Sequence, residues 1–66
     1  MKILVVDDDL DLRGLIGFAL RQGGFLALEA GDGSAALAVI EAEQPALVVL
    51  DLNLPDMPGL EVLRIL

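Results

Sequence analysis

The chain has 66 residues, a formal net charge of −7 and a hydrophobic content of 56%, with two Phe as its aromatic residues. It contains neither Cys nor His, which excludes disulfides, thiolate metal sites, Cys nucleophiles and the usual imidazole general base. Lys2, Arg13, Arg21 and Arg64 are its only basic residues and form no cluster, so binding to nucleic acid or to an anionic membrane through this segment is not expected.

A chain of this size makes one domain and buries only about 60% of its unfolded surface. Its Leu, Val, Ile and Ala content exceeds what so small a core absorbs, so some apolar surface is expected to meet something outside the chain. No apolar run approaches the roughly 18 residues of a membrane span. Acids follow residues 1–6 too closely for a signal peptide, and a cytoplasmic location is expected.

Residues 3–6 form a continuous apolar run of the buried-strand type. From Leu12 onward, Leu12, Leu15, Ile16, Ala19 and Leu20 recur at the spacing of one helix face, and Gly23-Gly24 stop that helix. Gly14 and Gly17 lie inside it, each at a cost of about 1 kcal/mol against Ala; they are either tolerated weakness or points of close packing on a sheet. A second strand is expected over 25–30, followed by Gly-Asp-Gly-Ser, in which Asp32 or Ser34 can cap the next helix. That helix, over 34–43, offers Leu37 and Ile40 for packing and is closed by Pro45. The most apolar strand, 46–50, ends in Asp51, and residues 60–66 open a third helix with Leu60, Leu63 and Leu66.

The pattern is βαβαβα with short connections, which implies a parallel sheet with right-handed crossovers. The functional edge of such a sheet is at the carboxyl ends of its strands. Asp7, Asp8 and Asp9 end the first strand and Asp51 ends the third. If those strands are neighbours, both acid groups reach the same edge. Carboxylates without His or Cys make a hard, oxygen-only site suited to Mg²⁺, which offsets their mutual repulsion. Asp8 or Asp9 can alternatively cap the following helix and favour its positive end.

"KILVVDDD", the "DG" before the second helix and "VVLDLNLPDMPGLEVL" together resemble, in order and over the whole chain, the receiver domain of bacterial two-component response regulators. The resemblance implies a flavodoxin-like (CheY-like) α/β half-domain with a three-stranded parallel sheet of order 2-1-3. It implies a signalling module rather than an enzyme. Asp51 would accept a phosphoryl group from a sensor histidine kinase, Asp8 would bind Mg²⁺ directly, Asp7 would act mainly through a metal-bound water, and the Asn53 backbone carbonyl would supply a further ligand. Pro55 and Gly59 would shape the loop after the third strand. The wording "DLNLPDMPGLEVL" resembles the class with a C-terminal winged-helix DNA-binding domain.

Relative to that family, residues 1–66 correspond to the first three βα units. The fourth strand with its Ser or Thr, the fifth strand with its Lys, and any output domain are not among them. There is no Thr, and Ser34 and Lys2 are the only Ser and Lys; both are expected away from the site. Metal binding is therefore expected to survive in this fragment better than phosphorylation or signalling. With strand 3 at the edge, residues 47–50 would be an apolar, uncharged pairing template, and a homodimer through that strand is expected. The competing reading is a self-associating scaffold, natural, engineered or proteolytic, without phosphorelay activity. A haloacid dehalogenase-type phosphatase fits poorly, because Asn53 stands where a second acid is needed. A Rossmann nucleotide site fits worse, because "DDDLDL" fills the first turn where a Gly-rich loop belongs.

Overall fold

A computed structural model describes residues 1–65, with side chains through residue 64. The elements alternate as expected: β1 (Lys2–Val6), α1 (Leu10–Gln22), β2 (Leu26–Ala30), α2 (Gly33–Glu43), β3 (Leu47–Leu50) and α3 (Gly59–Ile65). The three strands form one parallel sheet of order β2-β1-β3. The helical crossovers account for the parallel direction of the strands, since parallel strands cannot be joined by a tight hairpin. The register runs Val6 against Ala30 on one side and Leu50 on the other, so all three strands end level with one another.

Side chains alternate across the sheet. On one face Leu4, Val6 and Ala30 pack with Ala36 of α2, and Leu28, Val39, Ile40, Val48, Leu50 and Leu54 close round them. On the other face Ile3, Val5 and Ala27 are buried, and α1 lies over β1 and β2. Arg13 and Arg21 reach down from α1 to the two carboxylate oxygens of Glu29, at 3.1 and 3.2 Å.

Local chemistry sets the helix ends. Asp9 caps α1 by accepting from the amides of Asp11 and Leu12, so the helix starts at Leu10, two residues before the apolar periodicity begins. Gly24, at φ 88°, takes the left-handed turn after α1 and its amide returns to the Arg21 carbonyl, as a glycine just past a helix does. Asp32, not Ser34, is the N-cap of α2. Gln44 leaves the right-handed helix at φ 48° immediately before Pro45. β2 and β3 each begin one residue later than the apolar runs suggest.

Two packing expectations are corrected. Of the α1 face read from the sequence, Ile16 and Leu20 are half-buried, whereas Leu12, Leu15 and Ala19 are exposed, Leu15 at 65%. The apolar arc of α1 is wider than the strip in contact with the sheet, and the sheet covers one edge of it. In α3 the buried hydrophobic side chain is Val62, while Leu60 and Leu63 are exposed; Leu66 lies outside the described residues. The roll of α3 is set at its first residue, where Gly59 sits so close to the backbone of Asp51 and Leu52 that a Cβ would strike the Asp51 carbonyl oxygen and come within 2.8 Å of the Leu52 Cα. Gly17 is buried beneath the Arg21 and Glu29 side chains, whereas Gly14 has open space around it. Close packing therefore accounts for Gly17 alone.

Candidate metal and phosphoacceptor site

The level strand ends bring the acids together. The Asp51 amide donates to the Val6 carbonyl at 2.9 Å, and the Asp7 amide donates to the Ala30 carbonyl at 3.1 Å. Each acid therefore leaves its strand at the last rung of the ladder, with neighbouring parallel strands about 4.8 Å apart. Asp7, Asp8 and Asp51 each offer a carboxylate oxygen, and those oxygens lie within 4.8 Å of one another. Asp8 is exposed and the other two are half-buried. The group is reached from solvent and built on the rigid end of the sheet.

Hydrogen bonds fix part of each carboxylate. Asp7 Oδ1 accepts from the Asp9 amide at 2.9 Å, and the Asp7 carbonyl accepts from the Arg13 guanidinium at 3.1 Å. Asp51 Oδ1 accepts from the Asn53 amide at 3.1 Å, while its second oxygen accepts no hydrogen bond from a described residue. Asp9 is committed to capping α1 and stands apart from the cluster. The alternative of Asp8 as the cap is not realised. The three gathered donors are all oxygens, a set that fits Mg²⁺ and not the softer transition metals.

The loop from Leu52 to Pro58 forms one wall of an open cleft of about 500 Å³, and Asp8 lies on the other side of it. Asn53 and Pro58 pair as an antiparallel bridge across the neck of the loop, and the Gly59 amide donates to the Leu52 carbonyl at 2.9 Å. At the tip, Asp56 accepts from the amides of Gly33 at 2.8 Å and Ser34 at 2.9 Å, the first turn of α2. These two bonds, the Gly33 amide foremost, hold the Asp56 carboxyl below its ordinary 3.8. Reading the sequence did not reveal this contact. Asp56 reads as one more turn acid, because its partners lie 22 and 23 residues upstream.

Ser34 sits at the opening of α2. Lys2 pairs with Glu43 at 3.2 Å, at the end of the sheet where β1 begins and the site is farthest. Neither belongs to the acid cluster.

The residues from 3 to 66 match the family model for the response regulator receiver domain. The chain is 48% identical over 65 residues to the DNA-binding response regulator MtrA of Mycolicibacterium smegmatis, covering 98% of this chain and 28% of that protein. Among solved structures, the response regulator TrrA of Thermotoga maritima in complex with Mg²⁺ and BeF superposes with a TM-score of 0.88 at 38% identity, over 92% of this chain and 53% of that one. The chemotaxis response regulator CheY4 of Vibrio cholerae superposes with a TM-score of 0.94 at 31% identity, over 97% and 53%. A three-stranded parallel sheet ending in a cluster of acids is the first half of a receiver, and the chain belongs to the response regulator receiver domain family. It spans about half the length of the solved chains it matches and between a quarter and a third of its curated relatives.

Proposed function

We propose that this chain is a phosphoacceptor module of two-component signalling, in which Asp51 takes a phosphoryl group from a sensor histidine kinase. The observation that carries the reading is the convergence of Asp7, Asp8 and Asp51 at one sheet edge. Asp51 Oδ1 is held by the Asn53 amide, which leaves the other oxygen to attack phosphorus. As the new O–P bond forms, the P–N bond of the donor phosphohistidine breaks and its nitrogen keeps the electron pair. Asp7, Asp8, Asp51 and the Asn53 carbonyl would hold Mg²⁺, with Asp7 acting mainly through a metal-bound water. When bound, the ion would neutralise charge on the phosphoryl oxygens. TrrA, a structural neighbour, is known in complex with Mg²⁺ and BeF, which supports that choice of metal.

MtrA is named a DNA-binding response regulator. By that likeness the module serves a transcriptional regulator, its DNA contacts made by a domain other than this acidic segment, and the exchange takes place in the cytoplasm. Among the described residues no helix is long and apolar enough to cross a membrane.

As an isolated chain, the 66 residues supply the acids without a Thr, and with their one Lys and one Ser placed elsewhere. β3 is an edge strand among the described residues, which favours an antiparallel β3–β3 homodimer across a two-fold axis.

Native mass spectrometry of the chain with Mg²⁺ and acetyl phosphate tests the reading. A phosphoryl adduct is expected on the wild type, absent from Asp51→Asn and dependent on Mg²⁺. No adduct at saturating Mg²⁺, with a dimer in the same spectrum, would instead identify a self-associating scaffold.

A further inference from the structure

The geometry points to Asp56 as a positioning residue: by clasping the first turn of α2 it fixes the 52–58 loop, and with it the Asn53 carbonyl and the Mg²⁺ affinity of the acid cluster. This rests on the Mg²⁺ site proposed above and adds a residue to it that does not itself contact the ion.

Both oxygens of Asp56 are engaged, one on the Gly33 amide and one on the Ser34 amide. A helix leaves its first amides without intrahelical partners, and in the first turn of α2 two carboxylates share them. Asp32 takes the Ala35 amide at 2.7 Å through its side chain, and Asp56 takes the amides of Gly33 and Ser34. A carboxylate at this end of a helix also meets the positive pole of the peptide dipoles. Asp56 is thus the long-range half of the α2 cap, and its preference for that place is electrostatic as well as geometric.

The loop consequently hangs between two anchors. The neck is held by the Asn53–Pro58 bridge, by Asn53 on Asp51 Oδ1 and by Gly59 on the Leu52 carbonyl. The tip is held by Asp56 and by Met57, which lies so close over Gly33 that a Cβ there would run into the Met57 Cγ and Sδ. Between them Leu54 packs on the core. Asn53 belongs to the neck, and its carbonyl can move only as the span from Asp51 to the tip allows. Freed of the Asp56 bonds, the exposed residues 52, 53, 55 and 56 would lose the tether that limits that span. Outer partners of this kind govern metal affinity without contributing a ligand atom.

The test is an NMR-monitored Mg²⁺ titration of the ¹⁵N-labelled 66-residue chain, as wild type and as Asp56→Ala, Asp56→Asn, Gly33→Ala, Asp32→Ala and Asp8→Asn. Asp56→Ala is expected to weaken Mg²⁺ binding about tenfold, and the Gly33 and Ser34 amide resonances should shift whether or not Mg²⁺ is present. The loss should persist between about 0.1 and 0.5 M KCl, where screening lengths fall from roughly 10 to 4 Å. Asp56→Asn, which keeps one acceptor oxygen, should fall between wild type and Asp56→Ala. Gly33→Ala moves Met57 and the tip without changing any charge, and should weaken binding about threefold on the same grounds. Asp32→Ala removes the local cap alone and should stay within about twofold of wild type, because its bonds are confined to α2.

The inference is overturned if Asp56→Ala and Gly33→Ala bind Mg²⁺ like wild type, if the Asp56→Ala loss disappears at high salt, or if Asp32→Ala loses as much. A wild type without Mg²⁺ affinity, or an Asp8→Asn that binds unchanged, overturns the metal site itself and this inference with it.

Discussion

Residues 4–7 read Leu-Val-Val-Asp and residues 47–51 read Leu-Val-Val-Leu-Asp, yet the two strands live in different surroundings. In β1, Leu4 and Val5 are 0% exposed; in β3, Leu47 is 51% and Val49 38% exposed. β1 lies between β2 and β3 with helices over both faces, whereas β3 has one paired edge, and its Leu47 and Val49 share the sheet face on which α1 lies over β1 and β2. The apolar sequence is nearly the same, so the difference comes from the neighbours. What the strands do share is their ending, since parallel register brings Asp7 and Asp51 to one edge whatever covers the strands themselves.

That contrast can be broken most sharply by truncation. Leu4→Ala should cost roughly 3 kcal/mol of stability, in the range for a buried leucine, and Leu47→Ala less than about 1 kcal/mol, both read from urea unfolding followed by circular dichroism. Equal losses would mean that the outer face of β3 is covered in solution.

Gly59→Ala tests the join between β3 and α3. Its new methyl meets backbone rather than a flexible side chain, so α3 must shift, at a cost of about 1–3 kcal/mol. A smaller loss would show that the Asp51–Leu52 backbone gives way easily, and the site would then not be rigidly held.

The clasp between the β3–α3 loop and α2 has a pH signature. The folded carboxyl of Asp56 lies below its ordinary 3.8, so the unfolded chain takes up the proton first as pH falls. The stabilisation is therefore complete above the unfolded value and is lost as pH drops through the folded one. Asp56→Asn should have a lower thermal midpoint than wild type at pH 7, and the gap should narrow below pH 3.8. A gap that is constant with pH would assign the loss to something other than the charged clasp.

The smallest effect on the isolated fold is expected at the open edge. Val49→Lys should change monomer stability by no more than about 0.5 kcal/mol, since Val49 is partly in water, and should abolish the proposed β3–β3 dimer in native mass spectrometry by placing a charge on the edge strand. A dimer that survives the substitution would put the interface elsewhere, with the exposed α1 arc of Leu12, Leu15 and Phe18 as the next surface to test.

Much of this molecule is legible along the chain. Strand–helix alternation, the Gly23-Gly24 stop and the Pro45 stop are local signals, each acting within a few residues, and the strands and helices fall within two residues of where those signals put them. The acid cluster is legible for a different reason: parallel strands put their carboxyl ends on one edge, and once β1 and β3 are neighbours in the 2-1-3 order Asp7, Asp8 and Asp51 must meet there. The orientation of the helices is less legible. The periodicity of α1 marks Leu12, Leu15 and Ala19 as readily as Ile16 and Leu20, because hydropathy records an apolar arc and not which part of it a three-stranded sheet can cover. Val62 in place of Leu60 or Leu63 follows from the close approach of Gly59 to Asp51, a contact that spacing does not encode.

By itself, then, the sequence determined the order of elements, where the helices break, and the residue types available for chemistry, since all of these follow from backbone preferences and the charge of neighbouring side chains. Tertiary structure alone decided which apolar residues are dry, which of the candidate side chains caps each helix, and that Asp56 caps a helix more than twenty residues upstream. Burial and long-range capping depend on what lies alongside in space, and that is settled only when the sheet and its helices have packed.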